Sequence, residues 1–435
     1  MKVCVQGLWH LGSVTAACLA SVGHQVIGLD SENDVVQRMM MGKGPVSEPG
    51  LDELLKAGFD SGQLRFTSQA KEAVKEIKVL WVTLDTPVGE DDLADTEYVL
   101  QQVKSTLPLV PEGTTILISS QLPVGSVAEL ESFAIQYCNR TDLNFACSPE
   151  NLRLGKALDV FLNPDRIVAG VRNEVTRSVL SELLSPVTDR IEWMSVESAE
   201  MTKHAINSFL ATSVTFANEI AAICERVGAD AKEVERGLKS ESRIGPKAYL
   251  SPGAAFAGGT LARDVQFLHQ QAVEKNFKTP LLSSIRISND EHRKWVHRQL
   301  QKKFPNLAGA TIAIWGLTYK PGTSTLRRSL AVELCYWLLE KGVRLSVHDP
   351  AAEDLPVDWS GLVTRKNTPL EALNQAEALV VATEWSEYKS IEPKDMTGLG
   401  TRLLLVDANR FLQHLKDAEG IEYVAVGIPQ KDVQG

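Results

Sequence analysis

The feature that most constrains this chain is a short apolar run, a glycine-marked turn, an apolar helical stretch and a second apolar run. The two runs cover 2–6 and 25–29, and the helical pattern covers 12–22. Two short strands joined by a helix form a parallel pair with a right-handed crossover. The opening of the chain therefore predicts a doubly wound α/β sheet.

The same alternation continues and then starts again near residue 310. Each further run is short and apolar, as expected for a strand that is buried on both faces. The predicted strands of the first sheet are 79–83, 115–119, 145–147 and 166–170, and those of the second sheet are 311–315, 344–348, 378–382 and 403–406. A helix predicted over 329–341 ends at Gly342, a common C-terminal signal.

Between the two α/β regions, 198–227 has apolar residues at helical spacing. A helix of this length extends roughly 45 Å, which is enough to join two domains or to form a dimer interface. We predict two Rossmann-like domains joined by a long central helix. The expected boundaries are 1–195 for a dinucleotide-binding domain, 196–300 for a central helical domain and 301–435 for a second α/β domain.

Composition and charge exclude several classes of protein. The 435 residues carry a formal net charge of −10, which argues against a nucleic-acid-binding surface. No apolar run is long enough to cross a membrane, and the N-terminus does not have the pattern of a secretory signal. Six scattered cysteines without a CxxC pair indicate reduced thiols and no metal site. We expect a cytoplasmic protein.

The turn after the first strand resembles the G-x-G-x-x-G fingerprint of dinucleotide-binding domains. Gly7 and Gly12 occupy its first and third positions, whereas Trp9 replaces the middle glycine. Asp30 ends the second strand, where an acid binds the ribose 2′-hydroxyl of NAD and repels the 2′-phosphate of NADP. The sequence therefore predicts NAD as cofactor, although an indole at position 9 would crowd the phosphates unless it turns away.

Segments along nearly the whole chain resemble the UDP-glucose/GDP-mannose dehydrogenase family. Their order is that of the family, which makes the resemblance highly specific. The segments are 48–51 (EPGL), 86–87 (TP), 94–95 (AD), 122–125 (LPVG), 161–166 (FLNPDR), 200–201 (EM) with Lys203 and Asn207, 242–245 (SRIG), 316–317 (GL), 320–321 (KP) with Thr323 and Arg327, 383–385 (TEW) and Asp407.

The resemblance implies an activity and a set of site residues. Family enzymes oxidise the C6 alcohol of a nucleotide sugar to a carboxylate in two NAD-dependent steps, with a cysteine that traps the aldehyde. Transferred to this sequence, the catalytic positions are Lys203, Asn207, Asp264, Glu150 and Thr260. The cofactor positions are Gly7, Trp9, Leu11, Gly12, Asp30, Thr86, Ser120 and Arg327. The substrate positions are Glu150, Leu152, Lys203, Asn207, Arg243, Lys247, Tyr249, Gly258 and Lys320.

The chemistry of the catalytic residues fits these roles. Lys203 and Asn207 are four residues apart, so they share one face of a helix and can stabilise an oxyanion at C6. Asp264 can orient water or Lys203, and Glu150 can act as a base. The resemblance also implies a homodimer built on the central helix, a UDP-linked sugar as substrate and a role in polysaccharide precursor synthesis.

Several departures from the family pattern concentrate at these functional places. Thr260 stands where the family has its nucleophilic cysteine, and a threonine hydroxyl is a poor nucleophile without a base. The other departures are Trp9, Val35, Gln121, Leu154, Ser324 and Thr325. Three interpretations follow. The first is an NAD-dependent dehydrogenase, either with altered chemistry or with the standard two-step activity that forms the acid. The second is a non-catalytic protein that binds nucleotide sugars, and the third is an NAD-retaining enzyme that works like an epimerase.

Overall fold

The computed structural model describes residues 1–87, 89, 94–150, 152–257, 259–396 and 402–429. The chain divides into two compact units, Met1–Ile206 and Asn207–Gly435. A single helix, α9 (Val196–Val227), contains the point of division. Within the described ranges, no helix is long and apolar enough to cross a membrane.

The first unit is built on an eight-stranded sheet. The strands lie in the order β3-β2-β1-β4-β5-β6-β7-β8, and all neighbours are parallel except β6 and β7. Its elements are β1 (Lys2–Gln6), α1 (His10–Ser21), β2 (Gln25–Leu29), α2 (Asn33–Met40), α3 (Leu51–Asp60), β3 (Leu64–Thr67), α4 (Ala70–Ala73), β4 (Val79–Val82), α5 (Thr96–Thr106), β5 (Thr115–Ile118), α6 (Ser126–Cys138), β6 (Asn144–Cys147), α7 (Ala157–Leu162), β7 (Ile167–Val171), α8 (Glu174–Leu184) and β8 (Ile191–Met194).

The first sheet is buried on both faces, which explains why its central strands are continuous apolar runs. In β1, Val3 and Val5 belong to the core on one face, and Cys4 between them belongs to the core on the other. Successive side chains of a strand point to opposite faces, so a strand covered by helices on both sides needs apolar residues at every position. Burying one such side chain contributes about 1.5–3 kcal/mol.

The second unit contains a six-stranded, fully parallel sheet in the order β11-β10-β9-β12-β13-β14. Within this unit the remainder of α9 and four further helices precede the sheet along the chain. The elements are α10 (Ala231–Ser240), α11 (Thr260–Glu274), α12 (Pro280–Arg293), α13 (Trp295–Lys303), β9 (Thr311–Trp315), α14 (Leu330–Glu340), β10 (Arg344–His348), β11 (Val363–Arg365), α15 (Pro369–Ala372), β12 (Ala378–Val381), β13 (Leu403–Val406) and β14 (Ile421–Val424).

These observations confirm the predicted fold class of two doubly wound, Rossmann-like sheets and a long central helix. In each sheet the strand order reverses beside the first strand, so β1 lies between β2 and β4, and β9 lies between β10 and β12. Ligands of open α/β sheets bind at such a reversal, beyond the carboxyl ends of the strands. Ligands are therefore expected to bind at the loops after β1, β4 and β9.

Candidate active site

The turn after β1 requires both of its glycines. Gly7 has φ +92°, and a Cβ on it would lie 2.6 Å from the Leu84 Cα. A Cβ on Gly12 would lie 1.6 Å from the Gly7 carbonyl oxygen, so α1 can start this close to β1 only with glycine there. Thr83, which was not predicted, donates its hydroxyl to that same oxygen at 2.8 Å.

Trp9 lies at the surface of this turn, directly before α1. Its backbone is extended and its side chain is 47% exposed. The neighbouring Leu8 is fully buried, and Leu11 is half-buried at the first turn of α1. The indole therefore occupies the solvent side of the turn and not the packing between helix and sheet.

Asp30 is tied to the same turn by its carboxylate. One oxygen accepts the Leu8 backbone N–H at 2.8 Å, and the other accepts the Glu32 N–H at 3.0 Å. Each carboxylate oxygen has a second acceptor site, so these bonds leave capacity for a ribose hydroxyl. The position after β2 and these contacts fit the predicted role.

The remaining predicted cofactor residues have different surroundings. Thr86 is buried and donates its hydroxyl to the Gln121 carbonyl at 2.8 Å. The Ser120 hydroxyl is buried and has no hydrogen-bond partner among the residues that the structure describes, so a bound ligand would satisfy it. Arg327 is exposed and belongs to the second unit.

Lys203 and Glu150 form a pair in the first unit. The Lys203 Nζ donates to the Glu150 backbone oxygen at 2.7 Å and lies 3.3 Å from its Oε1. The other carboxylate oxygen accepts the Leu152 N–H at 2.7 Å. Both side chains are largely shielded from solvent, so the ammonium and the carboxylate hold each other in place.

A cavity of about 410 Å³ in the first unit opens beside this pair. It contacts the sheet through Trp81 and the first turns of α1 through Leu11. Its wall combines apolar side chains with a few charged groups, as is common in ligand sites. The lining includes Leu11, Thr15, Trp81, Glu150, Phe161, Arg166 and Lys203.

Asn207 and Asp264 form the corresponding pair in the second unit. The Asn207 Nδ2 donates to the Asp264 Oδ2, and this bond joins α9 to α11. Asp264 is fully buried, whereas Thr260 is exposed at the first residue of α11. Thr260 and Asp264 are four residues apart and therefore lie on one face of α11.

Two residues that were not predicted lie close to Gly259. The Tyr319 hydroxyl and the Arg328 guanidinium both approach Gly259, the residue before Thr260. Both come from the long loop between β9 and α14. A sequence signal could have been the arginine directly before the Ser329 helix cap, but nothing local shows that it reaches α11.

The other substrate positions are less enclosed. The loop from Arg243 to Tyr249 is mostly exposed, and the Arg243 Nε lies 3.1 Å from the Glu241 carboxylate. Lys247 is exposed and Lys320 is half-buried. Gly258 lies outside the described residues.

Two glutamates of the family-like motifs have structural roles in the first unit. Glu48 accepts the Gly155 and Ala157 amides and a contact from His10; burial raises its pKa, but these hydrogen bonds outweigh burial and hold the pKa below the ordinary value. Glu200 accepts the Gly125 and Val127 amides, and burial outweighs those bonds and raises its pKa.

The loop after β9 repeats the arrangement after β1. Asp349, which follows β10, accepts the Leu317 and Thr318 amides at 2.6 and 3.0 Å, as Asp30 accepts that of Leu8. Gly316 has φ +85°, matching Gly7. At the strand-order reversal, both units therefore have a glycine with positive φ after the first strand and an aspartate after the second strand that accepts the backbone amides of the turn.

Comparison with known proteins covers almost the whole chain. In the UDP-glucose/GDP-mannose dehydrogenase family, residues 1–188 match the NAD binding domain, 197–291 the central domain and 313–414 the UDP binding domain. The UDP-glucose 6-dehydrogenases of Pseudomonas aeruginosa and Rhizobium meliloti are each 31% identical, over 99% of this chain and 98% and 100% of theirs.

A solved structure of a UDP-glucose dehydrogenase is also similar to this chain over nearly its whole length. The UDP-glucose dehydrogenase of the archaeon Pyrobaculum islandicum is 27% identical, with a TM-score of 0.88 over 99% of this chain and 98% of that one. The cofactor is NAD, and the glycine turn, Asp30 and the unsatisfied Ser120 hydroxyl fit it. The chain belongs to the UDP-glucose/GDP-mannose dehydrogenase family.

Proposed function

We propose that this chain is an NAD-dependent oxidoreductase that acts on the CH–OH group of a nucleotide sugar, with UDP-glucose as the first candidate. We further propose that its chemistry departs from the two-step route to the acid because Thr260 replaces the cysteine. The observation that carries the proposal is the pair Asn207–Asp264, one helical turn from Thr260.

The residues that would line the NAD site are Gly7, Trp9, Leu11, Gly12, Asp30, Thr86, Ser120 and Arg327. When bound, NAD accepts the hydride that leaves the sugar carbon. The chain itself supplies the polar groups around that carbon. The Lys203 ammonium stabilises negative charge on the C6 oxygen, and Glu150 takes up its proton. Asp264, held by Asn207, orients a water molecule.

We propose that the nucleotide sugar is bound mainly by basic side chains and by one exposed loop. Lys320 and the loop residues Arg243, Lys247 and Tyr249 bind the diphosphate and the sugar hydroxyls. Leu152 and Gly258 complete the proposed set of substrate-binding positions. Arginine and lysine are the side chains that pair best with phosphate oxygens, which supports this assignment.

Thr260 determines the product. A threonine hydroxyl has no thiolate-like form near neutral pH, so the aldehyde is not trapped as a covalent adduct. Turnover therefore ends at the aldehyde, or the aldehyde is hydrated by water and oxidised without a covalent intermediate. Both routes predict slower acid formation than an enzyme with a thiol at this position.

The test is to incubate the purified protein with NAD and UDP-glucose and to separate aldehyde from acid. We expect NADH formation with aldehyde as the main product, and more acid from the Thr260→Cys variant. The Ser284→Cys variant, which adds an exposed thiol on α12, is the control and should not change the product ratio. NAD binding without any NADH formation would disprove the proposal.

A second candidate is a protein that binds nucleotide sugars without turnover. The exposed Trp9, in place of the middle glycine, favours it because an indole can cover the site of the pyrophosphate. Calorimetric titration with NAD and then with UDP-glucose separates the two functions. Binding of the sugar nucleotide alone would favour the non-catalytic function.

We also propose a homodimer formed through α9. Phe209, Phe216 and Ile223 recur every seven residues on this helix, and all three are exposed. Such a stripe is typical of helix-on-helix association. Sedimentation velocity should give a dimer for the natural chain and a monomer for Phe216→Glu. A monomeric natural chain would rule out the dimer.

The proposal also assigns a role to each segment of the chain and a cellular compartment to the protein. Segment 1–195 binds NAD, 196–300 carries the helices of the dimer, and 301–435 binds the nucleotide sugar. All six cysteines are free thiols and five are buried, which favours the cytoplasm. The products would serve as precursors for polysaccharides.

A further inference from the structure

Glu48 is a buried carboxylate that binds groups from two other segments of the first unit. Its side chain is only 1% exposed. One oxygen accepts the Ala157 N–H at 2.8 Å, and the other accepts the Gly155 N–H at 2.9 Å and lies 3.0 Å from the His10 Nε2. Burying a carboxylate without hydrogen bonds is strongly unfavourable, so these three contacts are what allow Glu48 to be buried.

The turn that carries Glu48 fixes the place of its carboxylate. Gly50, two residues later, has φ +81° and directly precedes α3. A Cβ on Gly50 would lie 3.2 Å from the Leu158 Cδ1, so this turn packs against α7. The next residue, Leu51, is fully buried and donates its N–H to the Glu48 carbonyl at 3.1 Å. Glu48 is therefore presented from a closely packed turn.

The partners of Glu48 belong to two segments that line the same cavity. His10 is the first residue of α1, and the next residue, Leu11, lines the cavity. The two amides that Glu48 accepts end the loop that begins at Glu150, and Glu150 lines the cavity as well. Glu48 thus connects the helix that follows the glycine turn of the cofactor site to the loop that carries the proposed base.

The loop from Glu150 to α7 is held at both ends. At its start, the Lys203 Nζ donates to the Glu150 backbone oxygen at 2.7 Å. At its end, Glu48 accepts two amides, of which the second begins α7. Within the loop, the Leu152 N–H donates to the Glu150 carboxylate at 2.7 Å. A shift at the end of this short loop would therefore move the group that orients the Glu150 carboxylate.

The contacts of Glu48 require a carboxylate and not an amide. Burial raises its pKa, but the hydrogen bonds from Gly155, Ala157 and His10 outweigh burial and hold the pKa below its ordinary value, so the group is ionised at neutral pH. An ionised carboxylate only accepts hydrogen bonds. Because the two backbone amides bind different oxygens, a glutamine would turn its NH2 group toward one of them in either orientation.

We propose that Glu48 is a positioning residue, which sets the place of the Glu150 carboxylate relative to the glycine turn of the cofactor site. It acts through the end of the loop and through the first residue of α1. This inference rests on the proposed function, in which Glu150 takes up the proton of the C6 hydroxyl. A displacement of about 1 Å at a reacting group can cost about 10²-fold in rate, so such a contact matters for turnover.

The test is a double-mutant cycle on the full chain with Glu48→Gln, Glu150→Ala and their combination. We expect Glu48→Gln to lower turnover of UDP-glucose about tenfold and its affinity about threefold, because Glu150 is misplaced. The affinity for NAD should stay within about twofold, since the glycine turn and Asp30 keep their own contacts. In the Glu150→Ala background, Glu48→Gln should change turnover and UDP-glucose affinity by less than about twofold, because the group that it positions is absent. Steady-state kinetics and calorimetry give these values.

A matched control is available in the second unit. Glu225 is 8% exposed, against 7% for Glu48, and it also accepts a ring N–H and a backbone amide. Its Oε1 accepts the Trp295 Nε1–H and the Gly427 N–H, both at 2.9 Å. Glu225→Gln should leave turnover and UDP-glucose affinity unchanged, which shows that the loss of a buried carboxylate is not sufficient for the effect.

A second variant keeps the test valid if Glu48→Gln does not fold, which thermal melts show. His10→Ala removes the contact with α1 and leaves both backbone amides bound to Glu48. We expect it to lower turnover severalfold in the natural chain and to have no effect in the Glu150→Ala background. An equal effect in both backgrounds would show that His10 does not act through Glu150.

The outcomes separate the positioning role from the activity. If Glu48→Gln has no effect on turnover, or lowers it by the same factor in both backgrounds, the positioning role is wrong even though the dehydrogenase proposal stands. If no NADH forms, but the loss of UDP-glucose affinity caused by Glu48→Gln disappears in the Glu150→Ala background, the positioning role is upheld and only the dehydrogenase proposal fails. Failure to bind UDP-glucose would overturn both.

Discussion

The Lys203 ammonium donates to the Glu150 backbone oxygen at 2.7 Å and lies 3.3 Å from that residue's carboxylate. Because the backbone oxygen and the carboxylate hold the ammonium together, it cannot sample solvent freely. A fixed cation stabilises developing negative charge without reorganisation, whereas a mobile surface lysine does not. The same contacts orient Glu150, since its second oxygen is held by the Leu152 amide.

Replacing Lys203 by alanine should therefore impair chemistry more than binding. We expect turnover to fall by about 10²–10³-fold, the usual effect of losing one oxyanion-stabilising donor. The affinity for NAD should change by less than threefold. Lys275→Ala, at an exposed lysine just beyond α11, is the control. The turnover of both variants is measured by steady-state kinetics with UDP-glucose. Unchanged turnover of Lys203→Ala would show that Lys203 has no catalytic role.

Trp9 should limit cofactor binding because it projects from the turn where the fingerprint has glycine. We expect Trp9→Gly to tighten NAD binding by about tenfold, and Trp9→Phe to give an intermediate value. Equilibrium titration with NAD measures both. Weaker binding in the glycine variant would show instead that the indole stacks on the cofactor, as a flat aromatic ring can.

Asp30 should determine the choice between NAD and NADP. Asp30→Asn keeps an oxygen that can accept the Leu8 amide, so the turn should persist, but the negative charge is lost. We expect the preference for NAD over NADP to fall by at least tenfold, because charge no longer repels the 2′-phosphate. The ratio of the two dissociation constants is the measurement. An unchanged ratio would mean that other groups exclude NADP.

Glu235 should make the second unit sensitive to acid. Burial raises the pKa of its carboxylate, but hydrogen bonds from Lys239, Ser251 and Lys232 outweigh burial and lower the pKa to about 2. A carboxyl group whose pKa is lower in the folded state than in the unfolded state stabilises the fold fully when the pH is above its ordinary pKa of 4.5. This stabilisation is lost as the pH falls from 4.5 towards 2, because the carboxylate becomes protonated.

The measurement is the free energy of unfolding of Glu235→Gln and of the natural chain between pH 7 and pH 2.5. We expect the variant to be about 2 kcal/mol less stable at pH 7, and the difference to shrink below pH 4. Glu233→Gln, at an exposed pair with Arg236, should have almost no effect. A difference that is constant with pH would argue against the ionised carboxylate as the cause.

The strands show how much of the fold can be predicted from apolar patterns in the sequence. The predicted bounds of β1, β2, β9, β10 and β13 coincide with the structure. Those of β4, β5, β6 and β12 differ by one residue at one end, and β7 is shifted by one residue at both ends. The four strands that were not predicted are β3, β8, β11 and β14, and each forms an edge of its sheet. An edge strand is covered less than a central one, so it lacks the continuous apolar run that reveals a buried strand.

The sequence by itself determined the fold class, the glycine turn, the acid after β2 and the family, because these depend on local spacing and on residue type. Only the tertiary structure decided that Lys203 meets Glu150, that Asn207 meets Asp264, and that Tyr319 and Arg328 reach Gly259. These partners are separated by more than fifty residues. No local pattern encodes such contacts, since they form only when packed helices and folded loops bring distant segments together.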